Sequence, residues 1–173
     1  MRKISLIIIA SVIFGFGQQL NAQEFKFGHI EREELIVSLP DYDTAVARLE
    51  RLSRDLSNAL EIMQVEFNNK FYNYEREAAN LLDVVRQDRE QELQNLNNRI
   101  QEFQQTAQQQ WQERNAELFQ PIVERVDRAI RDVGRENGFT YIFVVGQGST
   151  VGYFDEVRSI DVSSLVRTKL GVR

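Results

Sequence analysis

The chain has 173 residues, 42% hydrophobic and 27% charged, with a formal charge of −5, a balance that suits one domain with an extended part. It contains no cysteine, which excludes disulfides, thiolate metal sites, cysteine nucleophiles and a lipid-modified cysteine anchor. A single histidine, His29, excludes a multi-histidine metal cluster, and the acidic balance with no Lys/Arg block speaks against nucleic acid as a partner.

The first residues differ in character from the rest. Arg2 and Lys3 give a short positive start, residues 4–17 are almost purely apolar, and a polar stretch ends at the small residue Ala22. This is the three-part layout of a secretory signal over residues 1–22, with a core shorter than the roughly 20 residues that a spanning helix needs. An uncleaved membrane anchor is the alternative, since Leu20 is not the usual small residue three places before the cut. Removal of Arg2 and Lys3 would take the charge from −5 to −7. Export of a chain without cysteine suits the periplasm.

Residues 25–30 carry β-favouring types and predict a short first strand, with Phe25, Phe27 and His29 on one face and Ile30 on the other. No Asp, Ser or Cys partner is implied for His29, so it reads as a structural residue. Residues 31–39 predict a short helix with an acidic first turn, which the helix dipole favours. Pro40, followed by Asp41 and Asp43, restarts the chain as a new helix.

Residues 41–120 contain neither glycine nor proline, and the only two prolines, Pro40 and Pro121, bracket them. Both are read as hinges at the base of one long helical insertion. From Tyr42 through Leu49, Leu56, Met63, Phe67 and Tyr74 to Val85, apolar residues recur at steps of three or four, a mean close to the 3.6-residue helical period. A second seam runs from Leu93 through Ile100, Phe103, Trp111 and Leu118 to Val133, and Arg114 occupies its one missing position. Two such seams can bury each other in an antiparallel hairpin. The turn is expected within residues 79–91, with Asn80 and Asp83 most willing to leave helical geometry. Each arm then holds roughly 38 residues, about 57 Å at 1.5 Å per residue.

Two features of the arms admit two readings. Fourteen of the thirty residues 91–120 are Gln or Asn, either a solvated helical face or a surface that touches unfolded chains without charges to desolvate. Ile62, Val65 and Tyr72 fall roughly opposite the first seam, either by chance or as a stripe that contacts a partner.

Pro121 predicts a kink where the returning arm enters the body, with the helix resuming over residues 122–133 and ending at Gly134 or Gly138. Residues 139–145 read as a strand apolar on both faces. Residues 151–154 read as a second strand joined to it by the turn 146–149, so the pair predicts a hairpin. Gly146, Gly148 and Gly152 lack the spacing and the lysine of a phosphate loop. A strand apolar on both faces needs more cover than so small a body supplies, and oligomerisation is the natural source. Asp161 is expected to cap a last amphipathic helix with Val162, Leu165, Val166 and Leu170 on one side and Gly171 as its stop. The fold class is therefore α+β, mostly helical: a long antiparallel helical hairpin (residues 41–120) projecting from a small, discontinuous β-containing body (residues 23–40 and 121–173).

The order of these parts, with Leu39-Pro40, Gln120-Pro121-Ile122, the strand entry at residues 138–145 and Ile160-Asp161-Val162-Ser163, resembles the Skp/OmpH family of periplasmic chaperones. The resemblance implies a homotrimer whose strands form a central β-body from which three hairpins hang as tentacles around a cavity. It further implies that unfolded outer-membrane β-barrel proteins are held there without ATP or any other cofactor, and that the arms make transient contact with a membrane surface. The best-known members are basic. Here residues 75–92 carry three Arg against six Asp/Glu, so apolar and polar contacts, with Ile62, Val65 and Tyr72 as candidates, replace electrostatic capture. The competing function is a structural coiled-coil spacer or adaptor of the cell envelope. An enzyme is remote, because no nucleophile–base pair or metal cluster is implied.

Overall fold

Strand β1 (Phe27–Ile30) is the middle of a three-stranded sheet. The computed structural model describes residues 25–172, so the expected signal at residues 1–22 lies outside the described residues. After β1 come α1 (Arg32–Val37), α2 (Pro40–Glu77), a single 3-10 turn (Ala78–Asn80), α3 (Asp83–Glu136), β2 (Tyr141–Val144), β3 (Ile160–Asp161) and α4 (Ser163–Leu170).

Both outer strands run parallel to β1, with Phe27 opposite Tyr141 and His29 opposite Phe143 on one side, and Gly28 opposite Ile160 on the other. The hairpin expected between residues 139–145 and 151–154 does not form. The hydroxyl of Ser149 donates to the Val144 carbonyl at 2.7 Å and accepts the Val151 N–H at 3.0 Å, so the chain is turned off the strand immediately after β2. Gly146 and Gly148 take positive φ in this turn, and residues 151–154 leave the sheet. The backbone groups of β2 are instead satisfied by β1, more than a hundred residues earlier in the chain.

One face of the sheet lies on helices. Ile30, Leu35, Leu39, Val126, Val162 and Val166 are fully buried there, joined by Ile122, Ala129 and Val133 from α3. Gly28 fits closely at its place: a Cβ would sit 3.0 Å from Val162 Cγ1 and 3.1 Å from the Phe139 ring, so those side chains would have to give way. The helix face of the body thus packs directly against the backbone of the central strand.

The long insertion is an antiparallel hairpin of α2 on α3. Pro40 occupies the first turn of α2, where its missing N–H costs nothing, and Asp41 and Asp43 follow in the same turn. The turn falls at the start of the expected interval, but the residues that leave helical geometry are Leu81 and Leu82, both extended, rather than Asn80 and Asp83. The two arms match in length, but the helices that form them do not. The outgoing helix has 38 residues and the returning one 54, because α3 runs on as one helix through Pro121 and becomes the main helix of the body. It ends at Glu136, with Gly138 at φ 69° just beyond.

Candidate functional surfaces

The second face of the sheet is aromatic and uncovered. Alternation along the strands places Phe25, Phe27, Tyr141 and Phe143 together there. Phe27 stacks on Tyr141 with centroids 6.2 Å apart, on Phe143 at 6.4 Å and on Phe25 at 6.4 Å. Phe25 and Tyr141 are 63% and 59% exposed, which is far from the burial such rings reach in a finished core. His29 closes one edge of the patch, with Nδ1 2.9 Å from Ser159 Oγ and its ring 4.7 Å from that of Phe154. That serine partner, 130 residues away, had no signal in the local sequence.

Along the arm, the seam residues of α2 are half-buried except Phe71, which is exposed, and Ala45 alone is buried. On α3, Leu96 and Ile100 are the buried pair outside the body. Ile62, Val65 and Tyr72 are 69%, 51% and 66% exposed. They span ten residues, about 15 Å of helix, and Tyr72 meets Phe71 edge-on at 6.2 Å. The turn adds apolar surface that sequence reasoning missed: Leu82 and Val84 are 73% and 70% exposed. Val85, the last residue of the first seam, stands beyond the turn at the start of α3 and is itself exposed.

Polar groups tie the outer third of the arm. Lys70 of α2 donates to Glu92 of α3, and Tyr74 donates to Glu90. The Lys70 ammonium and then Arg89 hold the Glu92 carboxyl below its ordinary range, while the bond to Glu90 pushes the Tyr74 phenol up. In the amide-rich stretch, Gln91 pairs with Asn95 and Gln94 with Asn98, each at 3.0 Å and one helical turn apart. Asp161, expected to cap the last helix, stands one residue before its N-cap, Val162. It accepts the backbone N–H of Ser163 at 2.8 Å, and hydrogen bonding from the Ser163 side chain, then from this N–H, holds its carboxyl below the usual range. Pro40 and Pro121 stand where the two arms leave the body.

Among the described residues, no group of three or more His, Asp or Glu is placed to hold a metal ion, and no helix is long and apolar enough to cross a membrane. The family model described as outer membrane protein, OmpH-like, matches residues 26–170, from β1 to the end of α4. The chain belongs to the OmpH-like family. This is a periplasmic, chaperone-type family for outer-membrane proteins. A comparison with individually curated proteins finds no match.

Proposed function

We propose that this chain is an ATP-independent holdase of the periplasm, exported by residues 1–22. In this reading three copies join through the outer faces of their sheets. Their arms then enclose a cavity in which unfolded outer-membrane β-barrel chains are kept from aggregating. The observation that carries the reading is the stacked, uncovered aromatic face of the body beneath an arm that itself leaves Ile62, Val65 and Tyr72 in solvent. The first surface asks for a permanent cover. The second is thin and dispersed, which suits many weak contacts rather than one tight site.

Residues 23–40 and 121–173 serve as the assembly body and residues 41–120 as the arm, with Pro40 and Pro121 as hinges between them. Full burial of one Ile or Val side chain is worth about 1.5–3 kcal/mol, so a partly buried contact is weaker and readily exchanged. Holding then needs several contacts at once, and release needs no nucleotide. The acidic tip, with three Arg against six Asp/Glu in residues 75–92, weakens attraction to acidic lipid headgroups and leaves contact with a membrane surface transient.

The test is dilution of an unfolded outer-membrane barrel from urea into the purified protein, with light scattering as the readout and native mass measured in parallel. The expected result is a trimer that suppresses scattering without nucleotide. Undiminished scattering at a molar excess of trimer would end the proposal. Replacing Ile62, Val65 and Tyr72 together by Ser should raise the client's dissociation rate about tenfold with the trimer mass unchanged. Full retention by that triple variant would remove those residues from the contact surface.

A further inference from the structure

The link from α3 to the sheet holds the only place in the chain where glycine follows asparagine, Asn137-Gly138. In such a pair the backbone nitrogen of the glycine is unusually open to reaction, because no Cβ stands beside it. Its target is the carboxamide carbon of Asn137. Both residues are exposed, and a Cβ on Gly138 would meet nothing within 4 Å, so water reaches them freely.

The fold keeps the two groups apart. Asn137 closes α3 with φ −105° and ψ 6°, and Gly138 follows at φ 69°. Ring closure between Gly138 N and Asn137 Cγ needs a ψ of about −120° at the asparagine, outside the regions that an L-residue ordinarily occupies. Three hydrogen bonds oppose that rotation. Asn137 Nδ2 donates to the Val133 carbonyl at 2.9 Å, and Lys26 Nζ donates to the Asn137 carbonyl at 3.0 Å. The Phe139 N–H donates to the Gly134 carbonyl at 3.0 Å, the bond that closes a helix on a left-handed glycine. Asparagine suits this cap because its amide donates where a carboxylate cannot.

We propose that Asn137 is a modification site gated by folding: intact while the body is closed, it deamidates in copies whose body is open. In the step, Gly138 N loses its proton and bonds to Asn137 Cγ. The Cγ–Nδ2 bond breaks, and ammonia leaves with that proton. Water then opens either C–N bond of the succinimide, giving aspartate or isoaspartate. One water is consumed and one ammonia released, with no oxidant or cofactor.

Either product harms the junction. A carboxylate at this position cannot donate to Val133, and it places negative charge at the C-terminus of α3, where the helix dipole opposes it. Isoaspartate adds a methylene to the main chain shortly before Thr140. The Thr140 N–H reaches the Lys26 carbonyl at 2.8 Å and leads into the pairing of Phe27 with Tyr141. A copy that stays open too long thus loses the means of closing. None of this depends on what the arms hold.

The full-length protein is kept in mildly alkaline buffer, either folded or in guanidinium, and sampled by peptide mass spectrometry that separates aspartate from isoaspartate. Conversion at Asn137 is expected to be at least about tenfold slower in the folded protein, since it must await local opening. In guanidinium Asn137 should outpace Asn97 and Asn98, which are followed by larger residues. There Gly138→Ala should slow the conversion about tenfold, in a comparison that needs no folded state. After removal of guanidinium, the isolated isoaspartate form should lack the hydrogen-exchange protection over residues 139–145 that the unmodified form regains.

Equal rates in the folded and unfolded protein would overturn the gating. Absence of conversion at Asn137 in guanidinium would remove the site altogether. Full protection in the isoaspartate form would show that the junction tolerates the product, and the link to closing would fail.

Discussion

The body and the arm are built from the same helix, α3, yet bury it to different depths. Over residues 122–133 it lies between a sheet and two shorter helices, and Ile122, Val126, Ala129 and Val133 are all buried. Over the arm it faces one partner only, and Leu96 and Ile100 are the residues buried there. Two helices side by side leave each seam residue covered from one direction, whatever its hydrophobicity, so a long hairpin retains apolar edge that a layered body does not. The difference is geometric before it is chemical. It separates a part that must be rigid from a part that can lend its surface to something else.

The largest expected contrast is between Ile30→Ala and Leu56→Ala. Ile30 is fully buried against the helices of the body, so its truncation should cost about 3 kcal/mol and lower the global midpoint in urea. Leu56 is half-buried in the arm and should cost about 1 kcal/mol, felt as faster hydrogen exchange along the arm only. Equal effects at the two sites would mean that body and arm unfold as one unit. A smaller effect is expected at the sheet. Gly28→Ala forces a methyl against Val162 and Phe139, and overpacking of this kind costs about 1–3 kcal/mol. Thermal unfolding of that variant should show a lowered body transition with arm helicity, followed by circular dichroism, retained to higher temperature.

The arm was legible in sequence because its signal is local and periodic. The step of three or four survives over two seams, Pro40 marks the start, and the helical phase alone places Ile62, Val65 and Tyr72 away from the partner helix, where they are exposed. The sheet was legible only as strand-forming stretches. Phe27 and Tyr141 pair although they stand 114 positions apart in the chain, and nothing within either stretch names the other, so a nearby segment, residues 151–154, is the more economical partner on paper. Ser149 decides against it through two hydrogen bonds that composition does not reveal. Arg114 was visible as a break in the seam. That the break opens a groove beside Trp111 depends on how two helices are spaced, and periodicity carries no such information.

The finest test of the comparison is acid. Glu92 accepts from Lys70 across the arms and from Arg89 on its own helix, and those cations depress its folded-state pKa. A depressed carboxylate contributes stability that is full above its unfolded value, near the ordinary 4.5, and is lost as pH falls through the lower folded value. The Glu92 side chain is 38% exposed, so the contribution is below about 1 kcal/mol and is reduced further by salt. Acid should therefore speed hydrogen exchange over the outer third of the arm before the buried body opens. Asp161 is shifted in the same direction by its bond to Ser163, so α4 also loses support in that range. Glu92→Gln separates the two: it should remove the acid response of the arm and leave that of α4 in place. If the arm of Glu92→Gln still loosens at the same pH, the bond between the arms is not what acid breaks.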